Sequence, residues 1–175
     1  MRRWRRVDPW GFWQAFTGFM VVLGSVVGLA VLAGVGLALL RGDLDPRDDV
    51  GVLTVFPFVG LWLTGVTRLY LTGIYVNDEG VRLRHIVRTR TIRWSEVTGF
   101  EARPARLLGG PSVRLACWVR TTDGAFESSV QRRSRKGSWR KEPGPVLSPD
   151  DFDGMLARLD AERASHRPGP QVARR

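Results

Sequence analysis

Six basic side chains surround one indole in a single polar stretch: Arg132, Arg133, Arg135, Lys136, Arg140 and Lys141 flank Trp139. Cations of this kind beside an anionic leaflet contribute about 1 kcal/mol each, and an indole settles at headgroup level. The run is therefore a candidate contact for acidic lipid headgroups. A solvated basic loop is the competing use of the same residues.

A second basic set is spread along alternating segments: Arg82, Arg84, Arg88, Arg90, Arg114 and Arg120, with Trp118 among them. Cations interleaved with aromatics form stacking platforms for single-stranded nucleic acid. Interspersed acidic residues, and the apolar segments described below, argue against that use, so no nucleic-acid partner is expected.

Catalytic chemistry finds little to work with. His85 and His166 are the two histidines; His85 alternates with apolar neighbours on a strand pattern, and His166 falls at a helix end. Cys117 reads as a small core residue. No His, Cys, Asp or Glu set has metal-ligand spacing, and no G-x-S-x-G nucleophile motif occurs. Gly109-Gly110 lacks the later glycine and Lys-Ser/Thr of a phosphate loop. No catalytic, cofactor or metal residue is expected, and the protein is not expected to be an enzyme.

The elements that position these side chains start with two apolar runs. No charge occurs between Pro9 and Leu40; Val50 to Leu71 follows and is interrupted by Arg68 alone. About 20 apolar residues cross the ~30 Å hydrocarbon core. The pattern predicts a transmembrane hairpin: residues 15–40, a short extracytoplasmic loop at 41–49, and a second helix at 50–72. A cleaved signal peptide is the rival, but the first run is long for one and a second follows it. Gly24, Gly28 and Gly34 supply small-residue spacing for close helix packing within the hairpin; homodimerisation through the same faces is the alternative. Pro57 predicts a kink in the second helix. Arg68 is placed to snorkel to the interface.

Charge sets the orientation. The 175 residues carry 27 Lys and Arg against 17 Asp and Glu, a net charge of +10. Arg2, Arg3, Arg5 and Arg6 precede the first span, and the linker at 41–49 is mostly acidic. Flanking cations favour the cytoplasmic side. Residues 1–14 are thus expected as a cytoplasmic basic N-terminus in which Trp4, Trp10 and Trp13 anchor at the interface, and the C-terminal domain is expected on the same side of the plasma membrane. A single cysteine excludes an intrachain disulfide.

From Gly73 the period falls to two. Ile74 and Val76 open a strand, and Asn77-Asp78-Glu79-Gly80 is a turn. Val81, Leu83, His85 and Val87 alternate with polar residues; further strands are expected at Thr89 to Trp94 and Val97 to Ala102. Arg103 to Pro111, rich in Gly and Pro, is expected as a loop. In Val113 to Thr121 the set Val113, Leu115, Cys117 and Val119 faces a core, and Arg114, Ala116, Trp118 and Arg120 face water. Asp123-Gly124 turns the chain into Ala125 to Val130. Gln131 to Val146 is polar. Ser148 then caps a helix that has Pro149 at its first position and Phe152, Met155, Leu156 and Leu159 on one face. The compact region is expected over 73–165, with a disordered tail at 166–175.

Gly73-Ile74-Tyr75-Val76, Gly80-Val81-Arg82-Leu83-Arg84 and Ile92-Arg93-Trp94-Ser95-Glu96-Val97 resemble a bacterial pleckstrin-homology (PH-like) domain. Two preceding spans make the chain similar to small actinobacterial membrane proteins of the low molecular weight protein antigen 6 family. The resemblance implies a curled antiparallel sheet, or partly open barrel, closed by a C-terminal helix (an α+β fold). In it Trp94 packs at a sheet corner and Glu96 shapes a turn. It implies no reaction. The Asn77 to Gly80 turn is short and acidic, unlike the long basic loop that binds phosphoinositides in eukaryotic relatives, so that ligand is not carried over. The function expected is a non-catalytic interaction or scaffold module at the inner membrane surface with an unidentified protein partner. Anionic-lipid binding through 132–141 is the alternative.

Overall fold

A computed structural model describes residues 3–9, 12–43, 50–107, 110–133 and 145–166. The chain forms two units: residues 14–71, and residues 1–13 together with 72–175.

The first unit consists of helices α1 (Phe12–Arg41) and α2 (Val50–Tyr70). Among the described residues one segment, Ala15–Arg41, is long and apolar enough to cross a membrane, and only 11% of its apolar stretch is buried. The expected pair of spans at 15–40 and 50–72 thus reduces to one. The second helix is present, ends at Tyr70, and contains Pro57. Glycine explains how the two helices meet. A methyl group on Gly28 would lie 2.9 Å from Val59 Cγ1, and one on Gly24 would collide with the Trp62 ring. Gly34 has open space around it. Two of the three expected packing glycines therefore seat α2, and the third does not.

The second unit is built from two four-stranded sheets. The first has the order β1 (Arg5–Arg6), β2 (Gly73–Val76), β3 (Gly80–Arg84), β4 (Thr89–Arg93), all antiparallel. The second orders β5 (Val97–Leu107), β6 (Gly110–Thr121), β7 (Gly124–Arg132) and β8 (Val146–Leu147), the last pair parallel. A 3-10 turn at Trp94–Glu96 joins the sheets, and helix α3 (Pro149–Ser165) packs on β5, β7 and β8. Ser148 Oγ accepts from Asp151 N at 3.2 Å, the cap that its position implied. Phe152, Met155 and Leu159 of α3 are fully buried against Ile74, Val81, Leu83, Cys117 and Val119.

Three expectations are corrected here. Residues 1–14, expected only as a basic N-terminus with interfacial tryptophans, include an edge strand in which Arg5 and Arg6 pair with Val76 and Tyr75. Arg103 to Pro111 is no loop; β5 runs through it to Leu107 and turns into β6 at Gly110. Proline is admitted because β5 is an edge strand whose register shifts between Pro104 and Arg106. The wet face of β6 is also partly covered: Ala116 and Trp118 are buried with Ala105 in a second small core. An internal strand with neighbours on both sides can bury both its faces.

Candidate interaction surface

The turn at Asn77 is where the fold is pinned. Asn77 Oδ1 accepts from the backbone of Glu79 at 2.9 Å and Gly80 at 3.0 Å, and Trp94 Nε1 donates to the Asn77 carbonyl at 2.8 Å. Trp94 is buried, lies edge-on to Phe100 at 6.5 Å, and stacks on His166 at 5.0 Å and 13°. It is the corner residue expected, while His166 closes over it at the end of α3. Glu96 sits in the 3-10 turn, and its carbonyl accepts from Thr122 N at 3.2 Å.

A buried ion pair fixes the N-terminal strand. Asp8 is 3% exposed and lies 2.6 Å from Arg6, its other oxygen accepts from Ile74 N, and Arg6 Nη2 donates to the Thr72 carbonyl at 2.8 Å. Gly73 permits this crowding: its φ is +155°, and a methyl group there would lie 2.8 Å from Asp8 Oδ1. Sequence reading missed the latch. The i, i+2 spacing of Arg6 and Asp8 beside Gly73 is a signal only once the strand pairing is known.

The six arginines of the presumed basic sheet do not share a face. Arg82 and Arg84 lie on the outer face of the first sheet, over the rings of Trp4 (4.0 Å) and Tyr75 (5.1 Å). Arg90 pairs with the core residue Leu83, so it points to the opposite face, over Phe126 at 3.6 Å. Arg114 and Arg120 belong to β6 in the other sheet, and Arg88 lies in the turn after β3. Trp118 carries Arg106 over its ring instead. Trp4 is half-buried by its cation partner and is not a free interfacial anchor. Arg68 is exposed in the last turn of α2, as an interfacial residue would be.

Of the basic cluster, Arg132 ends β7 and pairs with Asp153 at 3.0 Å. Arg133 is exposed, its backbone bonded to Leu147 at 2.8 Å. Arg135, Lys136, Trp139, Arg140 and Lys141 lie outside the described residues, as do Trp10, the Trp13 side chain and the tail at 167–175.

His85 is not on the apolar face, since β3 ends at Arg84. The residues 85–88 form a turn closed by His85 N donating to the Arg88 carbonyl at 2.8 Å. The His85 ring lies 3.0 Å from the Glu127 carbonyl, and Ser129 Oγ donates to the Arg84 carbonyl at 3.1 Å, so the turn is buttressed by β7. A cleft of about 430 Å³ opens there, lined by Thr72, Ile86, Val87, Arg88, Arg106 and Gln131 among others. Cys117 is buried, and burial pushes its thiol from 9.0 up to about 12; a Ser128 hydrogen bond opposes the rise and the Asp160 charge adds to it. Among the described residues no group of three or more His, Cys, Asp or Glu could hold a metal.

Two sheets joined through a turn at Trp94 and closed by a C-terminal helix are the arrangement expected of a PH-like domain. The family model for "Bacterial PH domain" matches residues 73–138. No curated protein and no solved structure matches the chain. The class is that of a protein- or lipid-interaction module.

Proposed function

We propose that the chain is a multi-pass plasma-membrane protein that holds its PH-like domain at the cytoplasmic face as a non-catalytic interaction or scaffold module. One observation carries the reading. The strand before α1 and the strand after α2 share a sheet, so both ends of the intervening segment lie in one compartment. A chain that crosses a bilayer once cannot return to its own sheet. If α1 spans, the chain must cross back before Gly73, and the 21-residue α2 is the element available for that return. The Arg-rich flanks, set against the acidic linker, support the cytoplasmic side for the domain. This architecture is what the resemblance to antigen 6-like membrane proteins would imply.

The test is labelling of single-cysteine variants in intact spheroplasts with an impermeant maleimide. A cysteine in the 41–49 linker should react from outside, and cysteines at Arg3 and Asp123 should react only after lysis. Outside labelling at Arg3 or Asp123, or a linker protected until lysis, would contradict the orientation. Crosslinking in cells followed by partner identification then addresses the module's contacts.

A further inference from the structure

Among the described residues, sixteen large hydrophobics are exposed, and fourteen of them lie in α1 and α2. The other two are adjacent. Ile86 (36% exposed) and Val87 (83% exposed) form the tip of the turn between β3 and β4. The PH-like unit's other described large hydrophobics are buried or half-buried, so two aliphatic side chains projecting from a hairpin tip stand out as a candidate contact.

The surroundings of the tip name the occupant. Arg84 and Arg88 flank it in sequence, Arg90 follows on β4, and Arg106 lines the same cleft; Asp and Glu are absent from residues 80–95. Thr72, one residue beyond the last apolar position of the second run, also lines that cleft. Aliphatic side chains beside Arg88 and Arg106, in a cleft that also holds Glu127 as the acceptor for Arg106 N at 2.8 Å, suit the boundary between acyl chains and anionic headgroups.

We propose that the Ile86–Val87 tip is a membrane wedge: it enters the headgroup region of the same bilayer that holds the helices, with Arg88 and its neighbours on anionic lipid phosphates. This deepens the membrane-anchored reading and rests on it. The tip is buttressed from behind, because the His85 ring on Glu127 and Ser129 on Arg84 tie it to β7. Val87 is thus presented by a braced hairpin.

The native chain provides a convenient background for the test. Its single cysteine, Cys117, is buried and stays unlabelled, so a dye can be placed at will. Full-length Val87→Cys, carrying an environment-sensitive dye, is reconstituted in vesicles of neutral lipid or of neutral lipid with phosphatidylglycerol, each doped with headgroup spin-labelled lipid. Thr122→Cys, in the β6–β7 turn, is the control. The dye at Val87 should shift to the blue and be quenched, more in the anionic vesicles, whereas the dye at Thr122 should remain water-like. Adding Arg88→Gln should lower the inserted-to-free ratio about fivefold, the worth of one basic contact.

If the protein floats with the vesicles but the Val87 dye behaves like the Thr122 dye, the wedge is wrong and the anchoring stands. If the protein washes off with alkaline carbonate, the anchoring reading fails and takes the wedge with it. A Val87 dye that is unquenched by lipid yet shielded in native membranes would assign the tip to a protein partner and overturn the lipid proposal.

Discussion

The two units of this protein place the same kinds of residue in opposite settings. In residues 14–71, Phe19, Leu29, Phe58 and Leu61 are more than 60% exposed, while the small residues Gly24 and Gly28 are buried. In the PH-like unit Phe152, Leu159, Val81 and Val119 have no exposure, while Arg93, Arg103 and Arg120 are exposed. Burial of apolar area drives the second arrangement in water. Between helices surrounded by lipid that drive is missing, so contact is governed by how closely the backbones approach. On the membrane reading proposed above, each unit is folded for a different solvent.

Four measurements break or sharpen this contrast. The largest effect is expected at the latch. Asp8→Ala leaves Arg6 buried without its carboxylate and should lower the stability of the PH-like unit by about 3–5 kcal/mol. Pulse proteolysis of the full chain in detergent reads this directly, and an unchanged midpoint would detach the N-terminal strand from the domain. Next, Phe152→Ala should cost about 3–4 kcal/mol in the same assay, whereas Phe58→Ala, 68% exposed, should change it by less than about 0.5 kcal/mol. Equal losses would mean that the two units do not differ as described.

A Gly28→Cys/Val59→Cys pair in a Cys117→Ala background should crosslink on mild oxidation, and Gly34→Cys/Val59→Cys should not. The reverse result would move the helix contact to another face. The smallest effect concerns pH. The Cys117 thiol is raised in the fold, so above pH 9 the unfolded chain binds fewer protons than the folded one and stability falls as pH rises. The loss is about 1.4 kcal/mol per pH unit until the folded thiol itself ionises. Cys117→Ala should flatten that slope between pH 9 and 10; an identical slope in the variant would show that other groups set it.

Much of the PH-like unit is legible from local pattern. The Asn77 turn, the Asp123-Gly124 hairpin, the Ser148 cap and the buried face of Phe152, Met155 and Leu159 each carry their signal within a few residues. What escapes is non-local. Arg5 and Arg6 have no strand pattern, and their partners Val76 and Tyr75 lie on the far side of both helices. Val146 and Leu147 read as the end of a polar stretch until β7 accepts them in parallel. Pro104 looks like a breaker because edge position and register shift are properties of the assembled sheet. The wedge was hidden for a related reason: Val87 alternates as a core residue should, and only the early end of β3 at Arg84 turns it outward.

The latch also bears on biosynthesis. Arg5 to Asp8 leave the ribosome long before Gly73 and Ile74 exist, so the nascent arm must wait without its strand partner while both helices are made. A chain begun at Gly73 to obtain a soluble fragment would omit that strand and leave β2 as a bare edge. A fragment in which the first sheet is complete must accordingly include Arg5 and Arg6 as well as Gly73 to Arg93.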